Sequence, residues 1–253
     1  MAQISRIVAA VVLVLPAAAS GAQTDWRDLE SRVQYAWYTE DARDLAAIEN
    51  RVTDLPAEDA RRSYYLTLVQ LREAQVLQAR PATAGAGDAA AVGRALGGCI
   101  DSADEALAAR PTDAEVLALQ SLCMDLRSRT RALDVPFAGS RSRSQMQKAA
   151  QLAPKDPRVR LLAAQLAYSV AHSTRERGQL LAPFQSAVDA FEAERQGLER
   201  IPGWGAAEAW QGLAQVYLDR GDAIAARSAL EHALLLVPDY KSARRLLNHI
   251  LTG

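Results

Sequence analysis

Between Ala209 and Tyr240 the chain reads AWQGLAQVYLDRGDAIAARSALEHALLLVPDY, and the intervals in that stretch leave few folds open. Trp210, Leu213 and Tyr217 recur at steps of three and four, so a helix places them on one stripe. Gly221 suits the sharp turn that ends such a helix, and Asp222 beside it is a good N-cap for a second one. On that second helix Ala226 is small enough to let the two axes approach closely. Ala233 and Leu230 then face whatever follows, and Pro238 stops the helix. Such a hairpin cannot bury its apolar faces alone. It must stack on neighbours, so an all-α array of helical hairpins is the expected fold.

The rest of the chain keeps the helical period. Trp26, Leu29, Val33 and Trp37 form one stripe, and Leu45, Ile48, Val52 and Leu55 the next. Residues 57–78 carry two stripes, Tyr64-Leu68-Leu71 and Tyr65-Val69-Val76, as an inner helix buried on two sides would. Phe184, Val188, Phe191 and Leu198 mark another helix, and Ala243, Leu246, Leu247 and Ile250 a closing one. No sustained polar/apolar alternation and no Asn-Gly or Asp-Gly hairpin signal a strand. Thr112 with Glu115 reads as a capping box, Asp156-Pro157 as an N-cap and first helical position, and Asp239 as the cap of the last helix. The segments EALAARP, KAAQLAP and HALLLVP each place Ala five residues before a helix-ending proline. Prolines that close helices fall at 56, 81, 111, 154, 202 and 238, at intervals of 25, 30, 43, 48 and 36 residues. Similar pairs at irregular spacing imply a degenerate solenoid with loop insertions, and residues 81–88 and 134–144 read as those insertions.

The order Trp210, Leu213, Tyr217, Gly221, Ala226, Ala233, Pro238 resembles the tetratricopeptide repeat (TPR), a unit of about 34 residues. Ala214 stands where Gly is usual and Leu230 where an aromatic is usual. The match is best over residues 207–240, partial over 91–124 and 140–170, and weak before residue 81. The run YYLTLVQLREA, PTDAEVLAL, APKDPRVRLLAA, IPGWGAAEAW and then the full repeat is similar to exported bacterial TPR proteins of poorly defined role. The resemblance implies a helical-hairpin solenoid and brings no catalytic residues with it.

Residues 1–22 read as a cleaved signal peptide, leaving a single domain over 23–253. Arg6 supplies the charge, Ile7–Leu15 the apolar run, and Ser20-Gly21-Ala22 the small-residue cleavage site, with Ala17-Ala18-Ala19 as a second option. The run is too short to span a bilayer and no later one is long enough. No Cys lies at the cleavage site, so a lipoprotein is not expected; the expected location is periplasmic or secreted. An exported chain can hold disulfides. Cys99 lies 12 residues before Pro111 and Cys123 lies 12 after it, at matching heights if residues 89–109 and 113–127 form a hairpin. A bridge is one reading, and two small buried packing residues the other.

A net charge of −1 offers no basic surface for nucleic acid. Without Arg6 the balance is 28 basic against 30 acidic side chains, or −2. His172, His232 and His249 have no metal-ligand spacing, the two cysteines form no CxxC, and AGAGD (84–88) lacks a phosphate-loop Lys. No Gly-x-Ser-x-Gly elbow occurs. No metal, cofactor or catalytic set is therefore expected. Two features could serve binding. Glu208, Gln211, Gln215 and Asp219 would line the concave side of the best repeat, as a binding row or as an ordinary solvated face. Arg141 and Arg143, with Lys148 nearby, could hold an acidic partner or simply belong to a solvated loop. Trp204 in PGWG is expected to pack against a hairpin end. The expected function is non-catalytic binding of an unidentified protein or peptide. An envelope hydrolase with carboxylates on the concave face and a self-associating structural module are the alternatives.

Overall fold

The computed structural model describes residues 25–59, 61–80, 85–130, 138–196 and 203–252. The expected leader over 1–22 lies outside the described residues. Twelve helices and no strand occur among them. In chain order they are α1 (Trp26–Tyr38), α2 (Ala42–Thr53), α3 (Arg62–Gln78), α4 (Gly85–Ala109), α5 (Ala114–Thr130) and α6 (Ala138–Leu152). There follow α7 (Pro157–Val170), the short α8 (Thr174–Gly178), α9 (Leu181–Gln196), α10 (Ala206–Asp219), α11 (Ala223–Leu236) and α12 (Lys241–Thr252). The helices pack as successive pairs, α1/α2, α3/α4, α5/α6, α7/α9 and α10/α11, with α12 against α11. The second helix of each pair also packs on the first helix of the next, so the array is an all-α helical-hairpin solenoid.

The hairpin of residues 207–240 is built as its spacing predicts. Leu213, Ala226, Leu230 and Ala233 are buried between α10, α11 and their neighbours. Gly221 has φ +78°, and Asp222 accepts a hydrogen bond from the Ala225 N–H at 3.0 Å. Close approach on the other side of α10 uses residues that the repeat pattern does not mark. Gly212 lies under the Phe184 ring of α9, where a Cβ would collide with it, and Gly205, with φ +116°, lies under Phe191.

The stripes of α1, α2 and α9 are buried as expected, at Leu29, Val33, Leu45, Ile48, Val52, Phe184, Val188 and Phe191. Helix α3 is buried on more than its two apolar stripes, because Thr67, Gln70 and Arg72 are interior as well. Helix α5 is buried all round from Val116 to Asp125.

Three local expectations are corrected. Residues 138–144 are not loop but the first turns of α6, and residues 85–88 open α4; residues 81–84 and 134–137 lie outside the described residues. Helix α6 is polar by composition, yet Ser142, Met146 and Ala149 make a buried stripe on it. Ser142 and Ser121 of α5 satisfy each other, Ser121 Oγ donating to the Ser142 carbonyl at 2.8 Å and Ser142 Oγ to the Ser121 carbonyl at 3.0 Å. A serine in the seam reads as surface in sequence and as close helix contact in space. Asp113, not Thr112, caps α5 by accepting from the Val116 N–H at 3.2 Å, because Glu115 is drawn away to Tyr64 and Arg158. Asp239 does not cap α12 but faces the Arg244 guanidinium at 3.5 Å. The Asp156-Pro157 start of α7 stands, with Asp156 accepting from the Arg158 and Val159 N–H groups.

The two ends of the array meet. Trp37 and Tyr38 of α1 pack on Tyr240 before α12, with ring centroids 5.4 and 4.7 Å apart. Arg245 of α12 donates to the Glu40 carboxylate at 2.7 Å, across 205 positions of sequence. The first hairpin and the last therefore share one apolar cluster.

Cys99 of α4 and Cys123 of α5 are paired in the structure, with Cα atoms 6.3 Å apart and both side chains fully buried. That separation is inside the range a disulfide requires. In the chain-entropy account a loop of 24 residues makes such a bridge worth about 3 kcal/mol. We predict that the protein, purified oxidised, lacks the mass of both thiol hydrogens and that reduction lowers its urea midpoint. Two thiols that label freely after unfolding without reductant would remove the bridge.

Candidate functional site

The inner face of the array runs along α1, α3, α5, α7 and α10, and its polar side chains find partners across the interior. Tyr65 of α3 donates to Glu30 of α1 at 2.9 Å. Its neighbour Tyr64 donates to Glu115 of α5 and accepts from the Trp204 indole N–H at 3.0 Å. Arg158 of α7 reaches Glu194 of α9 at 3.1 Å and Glu115 at 3.8 Å. Burial pushes the Glu115 carboxyl up to about 7, although the Arg158 charge and the Tyr64 hydrogen bond pull the other way. Burial also raises Glu30, and holds the Tyr64 hydroxyl well above the usual phenol range with the Glu115 charge adding to it.

Glu208 of α10, 2% exposed, is paired in the interior with Arg72 of α3, 1% exposed, at 2.7 Å. The second Glu208 oxygen accepts from the Tyr38 hydroxyl at 2.6 Å and from the Gly205 N–H at 3.0 Å. The Arg72 guanidinium lies over the Trp37 ring at 4.0 Å and the Trp204 ring at 4.9 Å. It also donates to Gln75 at 3.1 Å, while its Nε has no partner. Helices α1, α3 and α10 and the Trp204 turn are thus tied at one point, between residues 136 and 170 positions apart. Trp204 is buried in that interior, not merely capping a hairpin end.

This arrangement corrects the expectation of a polar row open along α10. Glu208 is buried and fully engaged. Gln211 is half-buried, donating to Ser242 Oγ at 2.7 Å and accepting from the Tyr240 hydroxyl. Asp219 accepts from the Tyr168 hydroxyl at 2.6 Å and from Arg177 at 3.3 Å, and Gln215 is partly buried. The physical reason is closure: helices that would flank an open groove face their own partners instead. Arg141 and Arg143 are exposed on α6, and Lys148 on the same helix donates to the Pro111 carbonyl at 3.3 Å. His232 stacks on Trp210 with centroids 4.4 Å apart. No cluster of potential metal ligands occurs among the described residues, and no described helix is long and apolar enough to cross a membrane.

At the seam between the first and last hairpins lies a cavity of about 520 Å³. Ser31, Gln34, Tyr35 and Tyr38 of α1 form one wall, and Phe191, Glu194 and Arg195 of α9 another. Gly203, Trp204, Ala206 and Ala207 form the floor, with Leu236 and Val237 closing the end. Gln34 is 7% exposed, and neither its amide nitrogen nor its oxygen has a hydrogen-bond partner. Sequence reading passed over Gln34, because a polar residue between Val33 and Tyr35 on a first helix looks like surface. Its burial follows only from the distant closure.

Two outcomes follow from these charges. Glu208→Leu leaves the Arg72 charge buried and unpaired, so urea unfolding should show a loss of about 3–5 kcal/mol. Adding Arg72→Met should restore much of it; a single-variant loss near zero would mean the pair does not hold the ends. The Glu115 carboxyl, raised from 4.5 to about 7, keeps its proton in the fold after the unfolded chain has released it. Its contribution to stability is therefore complete below pH 4.5 and declines as pH rises towards about 7. Glu115→Gln should flatten that part of a plot of melting temperature against pH, and an unchanged slope would count against it.

No protein-family model matches the chain, and no curated protein matches it significantly. Among solved structures, a thermophilic TPR protein of Thermus thermophilus is similar at 14% identity and a TM-score of 0.49, covering 78% of this chain and all of that one. At that distance the likeness carries no argument, and the repeat architecture rests on this chain's own stacked helix pairs.

Proposed function

We propose that this chain is a non-catalytic helical-repeat protein that holds part of another polypeptide in the cell envelope. The observation that carries the reading is the seam cavity of about 520 Å³, with Phe191, Trp204, Leu236 and Val237 in its lining and Tyr35 at its rim. An aromatic and aliphatic cavity of that size suits an apolar side chain of a bound polypeptide. The stacked pairs supply the rigidity that a preformed site needs. The envelope location rests on the leader-like composition of residues 1–22.

The carboxylates favour this reading over a hydrolase. Glu30, Glu115, Glu194 and Glu208 are each held by a tyrosine or an arginine within the fold. Groups engaged in this way brace the interior. A self-associating module has one observation in its favour, because Ile224 and Leu235 stand 86% and 78% exposed on α11.

A photo-crosslinking residue at position 35, on the cavity rim, separates these readings. Tyr35 is 60% exposed, so its replacement should leave the fold intact. Irradiation in cells should give an adduct with a different polypeptide at position 35 and none at position 224. An adduct of twice the chain mass would favour self-association, and no adduct at position 35 would remove the seam as the binding site.

A further inference from the structure

We infer that the polypeptide held at the seam carries acidic side chains beside its apolar anchor, and that a basic recess adjoining the seam cavity receives them. The inference rests on the seam being the binding site and adds the charge of what binds there.

The recess, of about 740 Å³, lies where the turn between α1 and α2 meets the end of α3 and the start of α12. Tyr35 lines both the recess and the seam cavity, so the two spaces adjoin at one ring. A segment anchored in the cavity and leaving past Tyr35 enters the recess. Four cations line it from three parts of the chain: Arg43 of α2, Arg80 just after α3, and Lys241 and Arg244 of α12.

The carboxylates in the same lining are already engaged within the fold. Glu40 accepts from the Arg245 guanidinium at 2.7 Å. Asp41 caps α2, accepting from the Arg43 and Asp44 N–H groups at 3.0 Å each. Asp239 faces Arg244 at 3.5 Å. The side chains of Arg43, Arg80 and Lys241 are exposed and have no hydrogen-bond or ion-pair partner among the described residues. The recess therefore has acidic groups that are taken and basic groups that are free.

Folding gains nothing from that arrangement. Cations gathered from distant parts of the chain repel one another, and Lys241 and Arg244 stand at the start of α12, whose first turn holds no acidic residue. A helix dipole disfavours positive charge at that end. Carboxylates placed among these side chains offset both costs, and a guanidinium can take a carboxylate through two parallel hydrogen bonds. The division of labour matches that of a protein interface, with an apolar centre and a polar, charged rim. The cavity grips an apolar side chain, while the exposed cations select the sign of what flanks it and steer its approach.

The test uses the purified protein at low ionic strength and two capped peptides, acetyl-Glu-Glu-Leu-Glu-Glu-amide and its counterpart with Gln for every Glu, with affinities measured by calorimetry. The acidic peptide should bind about tenfold more tightly, and added salt should erode the difference. Replacing the three free cations together, Arg43→Gln, Arg80→Gln and Lys241→Gln, should bring the acidic peptide down to the affinity of the neutral one with no loss of melting temperature. Arg141→Gln with Arg143→Gln removes two exposed charges outside the recess and should leave binding unchanged. Equal affinity for the two peptides, or no binding of either, would overturn the inference, as would equal weakening by the Arg141 and Arg143 changes, which would trace the effect to net charge. Binding of inorganic phosphate without binding of the acidic peptide would make the recess a small-anion site and reject the acidic polypeptide. If the partner crosslinked at position 35 is captured as well by the triple variant as by the unaltered protein, the seam stands and the recess is rejected. Capture by neither rejects the seam itself, so the two failures are distinguishable.

Discussion

A guanidinium and a carboxylate buried together, Arg72 with Glu208, set the form of this molecule. The pair joins the third helix to the tenth, and the groups around it come from both ends of the array. Trp37 and Trp204 cover the guanidinium, while Tyr38 and the Gly205 N–H take up the second carboxylate oxygen. Two buried ions add little net stability, since desolvation offsets most of their attraction. Their leverage is asymmetric. Apart they are far costlier than together, and each can be satisfied only when α1, α3 and α10 are in place. Apolar contact between Tyr38 and Tyr240 and the Glu40–Arg245 pair at the rim reinforce the same closure.

Closure changes what the inner face can do. In an open solenoid, polar residues on the inner helices meet solvent or a ligand. Here Glu30, Glu115, Arg158 and Glu194 are bound to one another or to tyrosines, with Trp204 bridging from the turn before α10. Burial outweighs the charge of the arginine beside it at Glu115, which is why that carboxyl is raised. The inner face thus contributes cohesion, and free recognition capacity shifts to the place where the closing ends do not fully mesh.

Much of the architecture was legible in the sequence because it is local. Helical stripes at steps of three and four, helix-ending prolines, and the Gly221-Asp222 stop and start depend on neighbours in the chain. Their placement in α1, α2, α9, α10 and α11 needed no tertiary information. What failed to show was whatever depends on contact between distant helices. Ser142 looked like loop because its partner, Ser121, is 21 residues away and the bond between them is to backbone. Glu208 looked like surface because its partners lie 136 and 170 positions upstream. Gln34 went unremarked because what covers it lies far along the chain. A helical pattern says which face of a helix is apolar; it does not say whether the polar face will be covered.

That limit explains why a site could arise where the repeat pattern is silent. Repeats set the spacing of pairs along the array, and each pair needs only its neighbours. The ends are different: among the described residues α1 has no preceding pair, and nothing in repeat packing dictates what meets it. Here α1 meets the Trp204 turn and the end of α11, elements shaped by their own neighbours and not by each other. Such a junction fits less completely than a repeat interface, and it leaves space where Phe191, Trp204 and Val237 approach α1. The lining comes from α1, α9, the Trp204 turn and the end of α11, so the junction offers a ligand a shaped, largely aromatic and aliphatic surface that no single repeat provides.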